Sequence, residues 1–201
     1  AVIYDMDDLM VNSDPLHSRA WEKLLYDFNY TFSDLPEEVR ANFIGRRVAD
    51  ISREIIDILK LDTDFDSFYK KRTEIFFDLV EHELEAMPGL VESLKLFTSD
   101  NLKIALASSG AIHYIQFVLD KFSIRDYFDV IISGDFVKIG KPNPETYLVA
   151  SEKLGFLPKE CVVLEDAMNG IEAAVGAGCK CIGVVNVHTP VQDHSKADLI
   201  V

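Results

Sequence analysis

Short continuous apolar runs alternate with helically spaced segments along the second half of this chain, and that alternation constrains the fold more than any other feature. Lys103-Ile104-Ala105-Leu106-Ala107-Ser108 is followed by Ala111 to Phe122, where Ile112, Ile115, Val118, Leu119 and Phe122 keep the period of a helix. Asp129-Val130-Ile131-Ile132-Ser133 reads as a strand. Pro144 to Leu154 reads as a helix, with Pro in the first turn, where its missing N–H is not needed. Cys161-Val162-Val163-Leu164-Glu165, a helix through Ile171 to Val175, Cys181-Ile182-Gly183-Val184-Val185 and Leu199-Ile200-Val201 complete the series. Strands that are apolar on both faces and separated by helices pair in parallel, with helices covering each face of the sheet. With the opening run Ala1-Val2-Ile3-Tyr4, the expected sheet has about six strands.

Residues 15–86 follow a different rule. Leu16, Ala20, Trp21, Leu24, Leu25 and Phe28 share a helical face, as do Ile51, Ile55, Ile56 and Leu59, and then Phe65, Phe68, Tyr69, Ile75, Phe76, Leu79 and Val80. No strand pattern interrupts them. An all-helical block over 15–86 is therefore expected, inserted into an α/β core made of 1–14 and 87–201. Met87-Pro88-Gly89 is the expected return, since Pro stops a helix and Gly permits the turn.

Composition narrows the partners. The chain has 201 residues, 48% of them hydrophobic, which suffices for a sizeable core. Its net charge of −14 and the shortness of its basic clusters, Arg46-Arg47 and Lys70-Lys71-Arg72, argue against nucleic acid and membrane surfaces. No apolar stretch approaches the roughly 20 residues of a membrane span. Cys161, Cys179 and Cys181 are odd in number and lack Cys-x-x-Cys spacing, which suits a reducing, cytoplasmic setting. The chain opens inside a strand without Met and closes on a strand-like run, leaving room for further residues at either end. Small anionic ligands remain compatible with the acidic balance, and a monomer is the default expectation.

In an open parallel sheet, ligands bind beyond the carboxyl ends of the strands. Those ends carry Asp5 and Asp7, then Ser108-Ser109-Gly110, then Lys141-Pro142, then Glu165-Asp166. Two unit charges about 4 Å apart repel by roughly 1 kcal/mol in water and about 4 kcal/mol at an effective dielectric of 20, so the paired aspartates want a cation or a shared proton. Each residue also has an ordinary role open to it. Ser108 suits a helix N-cap, Lys141 a solvated loop, and Glu165-Asp166 the positive end of a helix dipole. Their joint occurrence in this order is what carries the signal.

Asp5-Met6-Asp7, Ser108, Lys141-Pro142 and Leu164-Glu165-Asp166 resemble the four motifs of the haloacid dehalogenase-like superfamily. Asn12-Ser13-Asp14-Pro15-Leu16-His17, Gly140-Lys141-Pro142-Asn143-Pro144-Glu145 and Leu164 to Ile171 look like its β-phosphoglucomutase and sugar-phosphatase branch, over essentially the whole chain. The resemblance implies a Rossmann-like core with a mobile four-helix cap at 15–86. It implies Asp5 as the nucleophile that becomes an aspartyl-phosphate, and Asp7 as general acid and base. It also implies a Mg²⁺ site from Asp5, the Asp7 carbonyl and one or both of Glu165 and Asp166. Ser108 and Lys141, with the adjacent Ser109, resemble the phosphate-binding group. His17, Arg46, Arg47 and the stretch Lys70-Lys71-Arg72 are the cap-side substrate candidates, and Gly45-Arg46-Arg47 fits either a loop over the site or a solvated helix junction.

Two departures shape the expectation. Val48 stands where β-phosphoglucomutases usually carry Arg, which tilts the reading toward a phosphatase. Asp8 follows Asp7 where the family normally has Gly, adding charge and a demanding backbone position beside the metal site. A Mg²⁺-dependent phosphatase of a small phosphorylated metabolite is expected. A phosphomutase and a member impaired by Asp8 are the alternatives.

Overall fold

A computed structural model describes all of residues 1–201. Six parallel strands form one sheet: β1 (Val2–Tyr4), β2 (Ile104–Ala107), β3 (Val130–Ile132), β4 (Val162–Glu165), β5 (Lys180–Gly183) and β6 (Leu199–Ile200). Their order is β3-β2-β1-β4-β5-β6. Strand order therefore reverses beside β1, and the crevice that opens at such a reversal lies at the carboxyl ends of β1 and β4. The register brings those ends level, with Tyr4 beside Leu106 on one side and Leu164 on the other.

Alternation along β1 builds two core clusters. Val2 and Tyr4 point to one face, where Ile104, Leu106, Leu94, Ile115 and Leu119 join them. Ile3 points to the other, with Val163, Ile132, Tyr147, Ile171 and Ala174. The first face is covered by α5 (Leu90–Ser99) and α6 (Ile112–Lys121), the second by α7 (Glu145–Leu154) and α8 (Met168–Ala177). Helix α5 was not anticipated, although Leu90, Leu94 and Phe97 keep helical spacing directly after Pro88-Gly89.

Between β1 and β2 run α1 (Asp14–Tyr26), the short α2 (Glu37–Ala41), α3 (Val48–Leu59) and α4 (Phe65–Glu83). Trp21, Leu24, Leu25, Leu35, Phe43, Ile51, Ile55, Leu61 and Phe68 form an apolar cluster drawn wholly from this segment. Its base is continuous with the sheet, because Leu16, Ala20, Phe76, Leu79 and Val80 join the cluster around Val2 and Tyr4. The two connections pair with each other. Asn12 N–H donates to the Glu85 carbonyl at 2.9 Å and Met87 N–H to the Met10 carbonyl at 2.8 Å. No helix is long and apolar enough to cross a membrane.

Ile3 lies at the centre of this arrangement and is fully buried. Ile3→Ala should lower stability by roughly 2–5 kcal/mol, the range for emptying a closed core position. Ile200→Ala, on the half-exposed edge strand, should stay within about 0.5 kcal/mol. Urea unfolding of both variants checks this, and equal midpoints would contradict the assigned core.

Candidate active site

Asp5 lies one residue beyond β1, with its N–H donating to the Leu164 carbonyl at 3.1 Å. That bond prolongs the β1–β4 ladder and fixes the Asp5 side chain at the crevice. Lys141, from the loop before α7, enters the same space with a fully buried side chain. Its ammonium donates to Asp5 Oδ1 at 2.5 Å, Glu165 Oε1 at 2.8 Å and the Ala107 carbonyl at 3.2 Å. Burial works against the lysine charge, but the two carboxylates outweigh it and raise its pKa.

Glu165 closes β4 and has both oxygens engaged. Oε1 also accepts from the Tyr147 hydroxyl at 2.7 Å, and Oε2 from the Ala167 N–H at 3.0 Å. Only Gly fits at 170, since a Cβ there would come within 1.6 Å of Glu165 Oε1. Asp166 is the opposite case: both oxygens are buried and neither has a hydrogen-bond partner. Burial, then Glu165, Asp8 and Asp5, push its pKa well above the usual carboxylate range. Burial likewise pushes Asp5 up, to about 8, against the pull of Lys141, with Glu165 and Asp7 adding to the rise.

Asp5, Glu165 and Asp166 can offer oxygens within 4.8 Å of one another. Three carboxylates against one ammonium leave an excess of negative charge in a dry site, and an unpaired buried carboxylate costs several kcal/mol in effect. A hard divalent cation with oxygen ligands fits this donor set. The unpartnered Asp166 oxygens are the most available of this set, whereas both Glu165 oxygens are engaged and Glu165 anchors Lys141.

The Asp7 carboxylate stands apart from that cluster. Its Oδ1 accepts from Ser13 Oγ at 2.7 Å and the Tyr114 hydroxyl at 2.9 Å, and His17 Nε2 faces it at 3.8 Å. Burial opposes the charge, but His17, Ser13 and Tyr114 outweigh it and hold the Asp7 pKa below its ordinary value. Burial and the nearby Arg72 lower the pKa of His17, against the pull of Asp7. The Arg72 guanidinium donates to His17 Nδ1, which leaves the ring proton on Nε2, toward Asp7. His17 also stacks on Phe76 with centroids 4.0 Å apart, and Arg72 lies between Trp21 and Phe76, 4.6 Å from each ring centroid.

A cavity of about 450 Å³ separates the sheet from the helical segment, with Asp5, Asp7, His17, Arg47, Arg72 and Tyr114 in its wall. Ser108 is buried and its Oγ accepts from the Gly110 N–H at 2.9 Å, whereas Ser109 Oγ donates across the cavity mouth to the Gly45 carbonyl at 2.7 Å. Gly45-Arg46-Arg47 is thus a loop over the site rather than a free junction. Asn169 Nδ2 donates to the Ile44 carbonyl at 2.8 Å, and Arg47 Nη1 to the Val137 carbonyl at 3.1 Å. Arg46 pairs with Glu54 at 2.9 Å and Arg47 with Asp50 at 2.7 Å. Of the basic triplet, Lys70 and Lys71 pair with Glu74 and Asp27 on the surface, and only Arg72 turns inward.

Ser13, Tyr114, Tyr147, Asn169, Asn186 and His194 were not anticipated as site residues. Asn186 Nδ2 donates to the Asp8 carbonyl at 2.8 Å, and His194 Nε2 lies 2.5 Å from the Asp166 carbonyl. Ser13 lies within a quoted motif, but Tyr114 and Tyr147 sit on helices whose spacing marks them only as core.

The sequence profile described as haloacid dehalogenase-like hydrolase matches residues 2–184. The chain belongs to that family of hydrolytic enzymes. It is 32% identical to a phosphorylated carbohydrates phosphatase of Thermotoga maritima, over 92% of this chain and 85% of the relative. It is 30% identical to a fructose-1-phosphate phosphatase of Escherichia coli, over 91% and 95%. Among solved structures, a β-phosphoglucomutase from Clostridium difficile superposes with a TM-score of 0.86 at 25% identity, covering 100% of this chain and 89% of that one.

Gly170→Ala should displace Glu165 and with it Lys141, lowering turnover about 100-fold, the scale associated with a 1 Å misplacement. Gly176→Ala on the same helix meets only Pro144 carbons at 3.6 Å or more and should leave turnover unchanged. Turnover measured beside thermal melts separates a displaced site from a lost fold.

Proposed function

We propose that this protein is a divalent-metal-dependent phosphatase of small phosphorylated carbohydrates, working through an aspartyl-phosphate on Asp5. The observation that carries the reading is the buried Asp5–Lys141–Glu165 chain beside the unpartnered Asp166, with Asp5 and Asp7 in the wall of a cavity of about 450 Å³. The phosphatase relatives support the substrate class. Mg²⁺ held by Asp5, Asp166 and the Asp7 carbonyl would neutralise the phosphoryl oxygens as charge develops on them.

The protein's own groups account for the rest. Lys141 occupies Asp5 Oδ1, and Oδ2 carries no protein hydrogen bond and is free to attack phosphorus. The Asp5 oxygen–phosphorus bond forms as the ester oxygen–phosphorus bond breaks, and Asp7 gives its proton to the departing alcohol. In the second half, Asp7 takes a proton from water, the water oxygen bonds phosphorus, and the Asp5 carboxylate is released. General acid–base help of this kind is worth about 10²–10⁴-fold. Asp7 rests ionised, so its first proton has to arrive with the substrate; a phosphate monoester with a second pKa of about 6 brings one in its monoanionic form. Ser108 and Lys141 hold the phosphoryl group, and residues 15–86 act as the cap that shields it from solvent.

A phosphomutase is the second reading, motivated by the β-phosphoglucomutase fold match. It requires a grip on a second phosphate at the far end of the cavity. Three arginines there are already matched: Arg46 by Glu54, Arg47 by Asp50, and Arg53 by Asp50 at 3.6 Å and the Phe65 ring. Arg40 and Lys138 in the same wall have no acidic partner, and Val48 supplies no charge. The matching of Arg46, Arg47 and Arg53, with the uncharged Val48, tilts the reading toward hydrolysis. Every side chain in this scheme comes from one chain, so a monomer suffices.

Phosphate release from a panel of sugar and polyol monophosphates, with Mg²⁺ and with EDTA, tests the proposal. Metal-dependent release from a subset is expected. Asp5→Asn should abolish it with an unchanged circular dichroism spectrum, and full activity in that variant ends the mechanism. An isomerised sugar phosphate in place of free phosphate identifies the mutase.

A further inference from the structure

We propose that Asp8 is a positioning residue: its carboxylate caps the Ser13 and Asp14 N–H groups at the start of α1 and so fixes Ser13, whose hydroxyl holds Asp7. The role in turnover rests on the phosphatase reading above; the capping itself does not.

Ser13 occupies the N-cap of α1, where a serine hydroxyl normally accepts from an N–H of the first turn. It makes no such bond here. Its hydroxyl is turned the other way and donates to Asp7 Oδ1 at 2.7 Å. Pro15 has no N–H and the Leu16 N–H donates to the Ser13 carbonyl at 2.9 Å, while Asp8 Oδ1 accepts from Ser13 N–H at 3.0 Å and Asp14 N–H at 2.8 Å. A helix start leaves such donors unsatisfied and carries partial positive charge, so one carboxylate answers both needs.

Asp8 is held for this task from three sides. Its φ of +62° lies in the left-handed region, which Asp enters more readily than most residues. Its N–H donates to the Val11 carbonyl at 2.7 Å, and its own carbonyl accepts from Asn186 at 2.8 Å. The side chain is buried, with 4% of the residue exposed, and it is directed to α1; it is not among the acids that cluster around Lys141. The first turn of α1 also carries His17, whose Nε2 faces Asp7. Asp8 therefore sets the position of Ser13, one of the three groups that surround Asp7. A glycine at this position satisfies the backbone but supplies no cap, and the Ser13 and Asp14 N–H groups that hold Ser13 in place would lose their acceptor.

The counterintuitive consequence is that Asp8→Gly, which restores the residue usual in the family, impairs the enzyme. With the best ester from the panel, Asp8→Gly should lower kcat about 10-fold or more with KM within about two-fold. Asp8→Asn, which keeps the accepting oxygen and loses the charge, should stay within about three-fold of the parent. Ser13→Ala should match Asp8→Gly, and the double variant should be no worse than Ser13→Ala alone, since both act through one contact. Amide hydrogen exchange at Ser13 and Asp14 should quicken in Asp8→Gly and not in Asp8→Asn. A kcat for Asp8→Gly at or above the parent overturns the proposal, as does a strictly additive double variant. If the parent releases phosphate from no ester, the phosphatase reading fails, and the exchange data still decide the cap: equal protection in all three proteins overturns it.

Discussion

The buried ammonium of Lys141 is the interaction on which the rest of this structure depends. Removing a charge from water costs several kcal/mol, recovered only by good geometry on every donor. Asp5, Glu165 and the Ala107 carbonyl supply that geometry, one from each of three neighbouring strand ends. The register of β1, β2 and β4 is therefore fixed by electrostatics as well as by apolar packing. A slip of one residue would turn Ile3 out of its cluster and carry Asp5 away from the lysine. Tyr147 and the Gly170 close approach hold Glu165 in turn, so the charge network extends into α7 and α8.

The second aspartate is managed by different means. Asp5 is held by an opposite charge, Asp7 by two neutral donors, a serine and a tyrosine, with a histidine facing it at 3.8 Å. Two carboxylates two residues apart thus meet environments that push their pKa values in opposite directions, up for Asp5 and down for Asp7. Separated acidities are what paired carboxylates need in order to take different roles. The separation arises because the strand ends at Tyr4, so the chain is free to turn Asp7 toward α1 and α6.

Much of this was legible in the sequence, for identifiable reasons. Strands such as Val162–Glu165, apolar on both faces, have few other places to go than a covered parallel sheet. The residues at their ends then fall into one crevice by topology alone. Lys141, Glu165 and Asp166 were found this way, although only coordinates distinguish the saturated Glu165 from the unpartnered Asp166. What escaped was whatever depends on the path of irregular chain. Asn186 and His194 belong to a segment without periodicity, yet they hold the Asp8 and Asp166 carbonyls. Tyr114 obeys the helical period of α6 and carries no mark of the hydroxyl that reaches Asp7. Asp8 was noticed as a departure, but its direction was hidden, because a carboxylate beside a metal site and one capping a helix look alike in one dimension.

The two sides of the cavity differ in what can be undone. The core side is a desolvated charge network in which breaking one contact strands another, so it behaves as a unit. The loop Gly45-Arg46-Arg47 meets the core through neutral or carbonyl-directed hydrogen bonds, from Ser109, Asn169 and Arg47. Each is worth about 1 kcal/mol net, because water replaces it when it opens. The cavity of about 450 Å³ lies between these two sides. The chain thus places its costly, non-exchangeable interactions at the strand ends and its replaceable ones on the helical segment that faces them.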